Sequence, residues 1–157
     1  MIISRTPFRI SFFGGGTDYP VWYRQHGVQV LSTTIDKYCY ISVRNFPPFF
    51  PYKHRIVYSQ VESAANIDEI LHPVVREAFK LFRVENGLSV HHDGDLTART
   101  GLGSSSAFTV GLLRALHVLR GEDISKEELA EGAIHFERDV LKENVGSQDQ
   151  VAVTYGG

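Results

Sequence analysis

Apolar and polar positions alternate over residues 2–12, with two consecutive apolar residues at each end, and this period predicts a strand interrupted at Pro7. Phe13 then leads into Gly14-Gly15-Gly16-Thr17-Asp18, a loop composition, and Tyr19 to about His26 predicts a short helix. Residues 28–35 and 38–45 are rich in Val, Ile, Tyr and Thr, and Asp36-Lys37 between them predicts a hairpin turn. The prolines and aromatics of 45–53 predict a loop, and 55–60 and 87–92 predict short strands. Apolar residues recur at helical spacing over 67–83, from Ile67 and Ile70 to Phe79 and Phe82. The same spacing returns in Phe108, Leu112, Leu116 and Leu119 and predicts a helix over 104–120. Ser125 with Glu128 three residues on is a capping box, opening a helix that runs to about Lys142. Gly146 to Tyr155 predicts a turn or one more helix. Strands come first and helices mostly later, so the pattern predicts one α+β domain over residues 1–157 rather than a doubly wound sheet.

Composition narrows the function classes. Hydrophobic residues are 43% and charged residues 22%, the balance of an ordinary globular domain. A net charge of −2 gives no global attraction to nucleic acid or to an anionic membrane. No stretch approaches the roughly 20 apolar residues of a membrane span, and residues 1–10 lack a secretory apolar core. Cys39 is the one cysteine, so no internal disulfide forms, and a cytoplasmic location is expected.

Residues 101–107 read Gly-Leu-Gly-Ser-Ser-Ser-Ala, immediately before the helical pattern. Two glycines let backbone approach a ligand closely, and Ser is a favoured N-cap. A helix N-terminus presents unpaired N–H groups and partial positive charge, which suits a phosphate. The segment Thr100, Gly101, Leu102, Gly103, Ser104, Ser105 and Ser106 is therefore a candidate nucleotide cradle. It is not a Walker A loop, since no Gly-Lys-Ser/Thr follows the glycines. His91-His92-Asp93-Gly94-Asp95 has metal-binding residue types, but adjacent histidines on a strand point to opposite faces, so no metal site is expected there.

Four features in order carry a resemblance. They are Pro7-Phe8-Arg9 followed by Gly14 to Tyr19, the loop 101–106, Glu137, and Gly146-Ser147-Gln148-Asp149-Gln150. Together they resemble the GHMP family of small-molecule kinases. Sugar kinases of that family carry Pro-Gly-Arg and Gly-Glu-His-Thr-Asp-Tyr at this spacing, then Gly-Leu-Gly-Ser-Ser-Ala, then Asp-Gln. Ser106 stands here in the place of that alanine. The resemblance implies a ribosomal-protein-like α+β domain, with a mixed sheet and helices packed on one side. It also implies a ferredoxin-like C-terminal domain, which is not found in these residues.

The resemblance assigns roles residue by residue. Asp149 matches the carboxylate beside the attacking hydroxyl, and Arg9 the cation that keeps it ionised. Ser105 and Glu137 match the Mg²⁺ ligands, with Ser104 as the alternative to Ser105. Gly15, Gly16, Thr17, Asp18 and Gly146 match the sugar-binding positions, with Asp18 expected to hold sugar hydroxyls. Phosphoryl transfer from ATP, assisted by Mg²⁺, is the implied chemistry.

Gly15 and Gly16 replace the Glu-His pair with which galactokinases touch their sugar. Residues 5–20 look like the bacterial D-glycero-D-manno-heptose 7-phosphate kinases, which implies phosphorylation of the anomeric hydroxyl of a seven-carbon sugar phosphate. Fucokinase- or galactokinase-like activity is the alternative, as is a non-catalytic sugar or nucleotide sensor on the same fold. A substrate phosphate needs cations, and Arg24, Arg44, Lys53 and Arg55 are the candidates by sequence.

Overall fold

The computed structural model describes residues 1–97 and 100–157. A five-stranded sheet lies under a layer of helices. Its strands are β1 (Ile2–Phe13), β2 (Leu31–Asn45), β3 (His54–Val57), β4 (Val61–Ala64) and β5 (Leu88–Gly94). Their order is β1-β2-β5-β3-β4; β3 and β5 run parallel and the other pairs antiparallel. The helices are α1 (Pro20–His26), α2 (Pro73–Leu81), α3 (Ser104–Leu119), α4 (Lys126–His135) and α5 (Gln148–Tyr155). The fold is the mixed α+β arrangement that the pattern predicts.

Alternation puts Cys39, Ile41 and Val43 of β2 and Leu88 and Val90 of β5 into the core, and α3 packs over β1 and β2. From Ser106 to Leu113 every α3 residue is buried, as expected of a helix apolar around its whole circumference. Gly111 lets α3 approach β1, because a Cβ there would lie 2.9 Å from Thr6 Oγ1. The hydroxyl of Ser4 closes the contact by donating to the Gly111 carbonyl at 2.8 Å. Burial pushes the Cys39 thiol up to about 12, so it is an inert core group.

Four local predictions are corrected. Asp36-Lys37 is no turn: β2 runs unbroken through it, and the pairing slips between Pro7 and Arg9 instead. Pro7 does not end β1, because β1 is an edge strand, where a missing N–H is tolerated. Pro73 divides the 67–83 pattern into a short 3₁₀ turn (Ile67–Glu69) and α2. The capping box at Ser125 does open α4, but the helix widens into a π turn over Phe136–Val140.

The slip at Pro7 serves the site. Thr6 and Phe8 face the helices before it, and Arg9, the very next residue, is also buried on that side. Ser11 then follows Arg9 on the same face, two residues on. Both reach α5.

Candidate active site

Arg9 ties three elements together. Its Nε and Nη2 donate to Asp149 Oδ1 at 2.9 and 2.7 Å, and its Nη1 donates to the Gly101 carbonyl at 2.7 Å. Its backbone N–H donates to the Leu102 carbonyl at 3.0 Å. Gly103 has φ +74°, and a Cβ there would press on Arg9 Cγ at 3.1 Å, so glycine is needed twice over at this position. Asp149 Oδ2 has no hydrogen-bond partner among the described residues and borders a cleft of about 380 Å³. Arg9, Gly15, Asp18, Ser105, Glu137 and Gln148 are among the residues lining that cleft.

The glycine–serine loop caps α3 with Gly103 in the left-handed conformation, not with a serine hydroxyl as the sequence predicts. Among the described residues no amide from Gly101 to Ser106 donates a hydrogen bond, as is usual for the first turn of a helix. Gly101 and Ser105 are exposed, Leu102 and Ser104 half-buried, and Gly103 and Ser106 buried. Thr100 is exposed at the loop's start.

Glu137 is presented by the π turn and is 1% exposed. Its Oε2 accepts from Ser106 Oγ at 3.1 Å and from Gln150 Nε2. The serine that meets Glu137 is thus Ser106, one residue beyond the expected Ser105, which is exposed and also lines the cleft. Burial pushes the Glu137 carboxyl up, only partly opposed by its hydrogen bonds. Glu137 Oε1 and Gln150 Oε1 are buried with no partner among the described residues. Unpartnered hard oxygens beside free loop amides suit a small oxygen-seeking cation that also holds phosphate, so the residues present fit Mg²⁺.

Asp18 is 2% exposed and serves a structural tie. Oδ1 accepts from Gly16 N at 3.0 Å and Oδ2 from Gln148 N at 2.9 Å, which pins the three-glycine loop to the start of α5. A Cβ on Gly146 would sit 1.8 Å from Asp18 Oδ2, so only glycine fits there. Thr17 closes the loop by donating from Oγ1 to the Gly14 carbonyl at 2.6 Å. Arg138 supports the same loop, donating to the Asp18 carbonyl at 3.3 Å.

Ser11 and Arg138 are not singled out by the sequence, and Gln148 and Gln150, which stand in the Gly146–Gln150 motif, are given no role of their own there. Period 2 on a strand marks Ser11 as a neighbour of Arg9, whereas nothing local marks Arg138. None of Arg24, Arg44, Lys53 and Arg55 lines the cleft. His91 is exposed, 3.8 Å from Asp93, and His92 packs edge-on against Phe108 at 5.1 Å. Among the described residues no group of three or more His, Cys, Asp or Glu can hold a metal, and no helix is long and apolar enough to cross a membrane.

The family described as GHMP kinases N terminal domain matches residues 69–157, more than half of the chain. The D-glycero-alpha-D-manno-heptose 7-phosphate kinase of Campylobacter jejuni is 28% identical over 99% of this chain and 49% of its own length. The mevalonate kinase of Archaeoglobus fulgidus is 29% identical over 99% of this chain and 51% of its own. The chain therefore spans about half the length of the curated relatives it matches. In fold it resembles a D-glycero-D-manno-heptose 1-phosphate kinase from Bacteroides thetaiotaomicron, with TM-score 0.86 and 24% identity over all of this chain and 54% of that one.

Proposed function

Since the chain belongs to the GHMP kinase family through its N-terminal domain, we propose that it contributes the catalytic wall of an ATP-dependent sugar kinase. The observation that carries this reading is the Arg9–Asp149 pair, with Asp149 Oδ2 unpartnered among the described residues and bordering the cleft that Glu137 and Ser105 also line. Arg9 binds Oδ1 with two N–H groups, so it orients the carboxylate. Oδ2 then accepts the proton of the attacking sugar hydroxyl, or holds that hydroxyl in line. The amides of Gly101–Ser106 receive the nucleotide phosphates at the N-terminus of α3. Glu137, with Ser105 or Ser106, would hold Mg²⁺, which neutralises phosphate charge when bound. Asp18 keeps the glycine loop on α5, and any sugar hydroxyl it accepts shares its oxygens with two backbone amides.

The preferred substrate is a seven-carbon sugar phosphate, phosphorylated at its anomeric hydroxyl. A relative of that specificity and the bare Gly15 and Gly16 support this choice. A further domain, as in relatives twice this length, would close the cleft from the other side. The test is ATP consumption by the natural full-length protein across free sugars and sugar phosphates. Turnover on heptose 7-phosphate, with little on galactose, is the expected result. Turnover on galactose alone would overturn the heptose assignment, and ATP use with no sugar would overturn the kinase reading.

A further inference from the structure

Gly15 has no steric need of its own to be glycine. Gly14 and Gly16 have φ of +86° and +90°, whereas Gly15 is outside that left-handed region, so its backbone accepts any L-residue. A Cβ on Gly15 would meet one group closely, the Nε2 of Gln148, at 3.2 Å. That carboxamide is held from its other end, since Ser11 Oγ donates to Gln148 Oε1 at 2.7 Å. The bond fixes the amide so that Nε2, not Oε1, is the end nearer Gly15. Nε2 has no acceptor among the described residues.

Gln148 also stands between two clefts. Among the described residues the inner one is lined by four carboxylates, Asp18, Glu137, Glu143 and Asp149, and by one cation, Arg9. The outer one, of about 560 Å³, is lined by Arg9, Ser11, Gly15 and Gln148 among others, with no carboxylate. A substrate whose reacting hydroxyl lies at Asp149 avoids the carboxylates by placing its electron-rich oxygens on the outer side. Resting on the sugar-kinase reading above, we propose that Gln148 determines substrate specificity. Its Nε2 donates to an oxygen at the end of the sugar remote from the reacting hydroxyl, and Gly15 is bare to leave that donor room. The oxygen belongs to a hydroxyl or to a phosphate.

Steady-state kinetics on the natural full-length protein test this. Gln148→Leu removes the donor. Gln148→Glu keeps length and the Ser11 contact but offers no N–H. Both should raise KM for the sugar roughly tenfold or more, the scale of one lost hydrogen bond, with KM for ATP unmoved. Gly15→Ala, which crowds the amide, should act in the same direction. A rise confined to the sugar phosphate assigns the contact to phosphate, and an equal rise for the matching free sugar assigns it to a hydroxyl. Wild-type sugar KM in all three variants would overturn the proposal while leaving the kinase reading intact. A wild-type protein that neither binds nor phosphorylates any sugar in the panel would overturn both.

Discussion

At the scale of single residues, the site separates an arginine-anchored carboxylate from a buried one. Asp149 is half-exposed and anchored by Arg9, whereas Glu137 is sealed beneath the serine run. Replacing Asp149 by Asn keeps the shape and removes the proton acceptor. In the natural full-length protein kcat should fall by roughly 10² or more, with sugar KM little changed. Near-normal turnover would remove Asp149 from the chemistry. Glu137 gives a pH signature instead. Its carboxyl titrates above the ordinary glutamate range because burial disfavours its charge, so its neutral form is the stabilising one. That contribution is complete below the unfolded-state value and is lost as pH rises through the folded one. In chelator, the melting temperature of the wild type should therefore fall relative to Glu137→Gln as pH rises from acid toward neutral. Parallel pH curves for the two proteins would contradict this. Adding Mg²⁺ and nucleotide near neutral pH should narrow the gap, because a cation restores a partner to the ionised form.

Among the elements, α5 has most riding on a few atoms. Its first turn supplies Gln148, Asp149 and Gln150 to the site, and its start is held by the Asp18 carboxylate. Gly146→Ala forces a methyl group into that carboxylate, so we expect a loss of about 1–3 kcal/mol by urea denaturation, the range of overpacked sites. Unchanged stability would mean that the 14–18 loop yields freely. The same element shows what was legible in the sequence. Short-range signals were readable: the glycines before α3, the Ser125 cap of α4, and the period-2 strands. Asp36-Lys37 misled because a turn-like pair also fits a bulge when the partner strand, with Pro7, cannot donate at the slip. The exchange of Ser105 for Ser106 beside Glu137 was not readable, since it depends on which serine the left-handed Gly103 turns inward. The tie of Asp18 to Gln148 spans 130 positions, and no local pattern encodes it.

Across the whole molecule, one face of the sheet carries the helices and the site lies at one end of that layer, with its cleft open. The proposed partner domain would lie outside residues 1–157, since the chain spans about half the length of its curated relatives. This chain by itself should therefore unfold cooperatively yet show no measurable sugar-dependent ATP turnover, as checked by calorimetry and a coupled assay. Measurable turnover would show that one domain suffices. The reach of the Arg9–Asp149 pair has a consequence for biogenesis. Its two members lie 140 positions apart, the cation on the first strand and the carboxylate on the last helix. Contacts that close so long a loop form late, after local hairpins and helices have condensed. On the ribosome, where synthesis proceeds at about 5–20 residues per second, β1 leaves the tunnel seconds before α5 exists. During that interval the guanidinium has no counter-ion and the glycine loop no brace from α5, so a nascent chain can hold its sheet before it has any competence to bind.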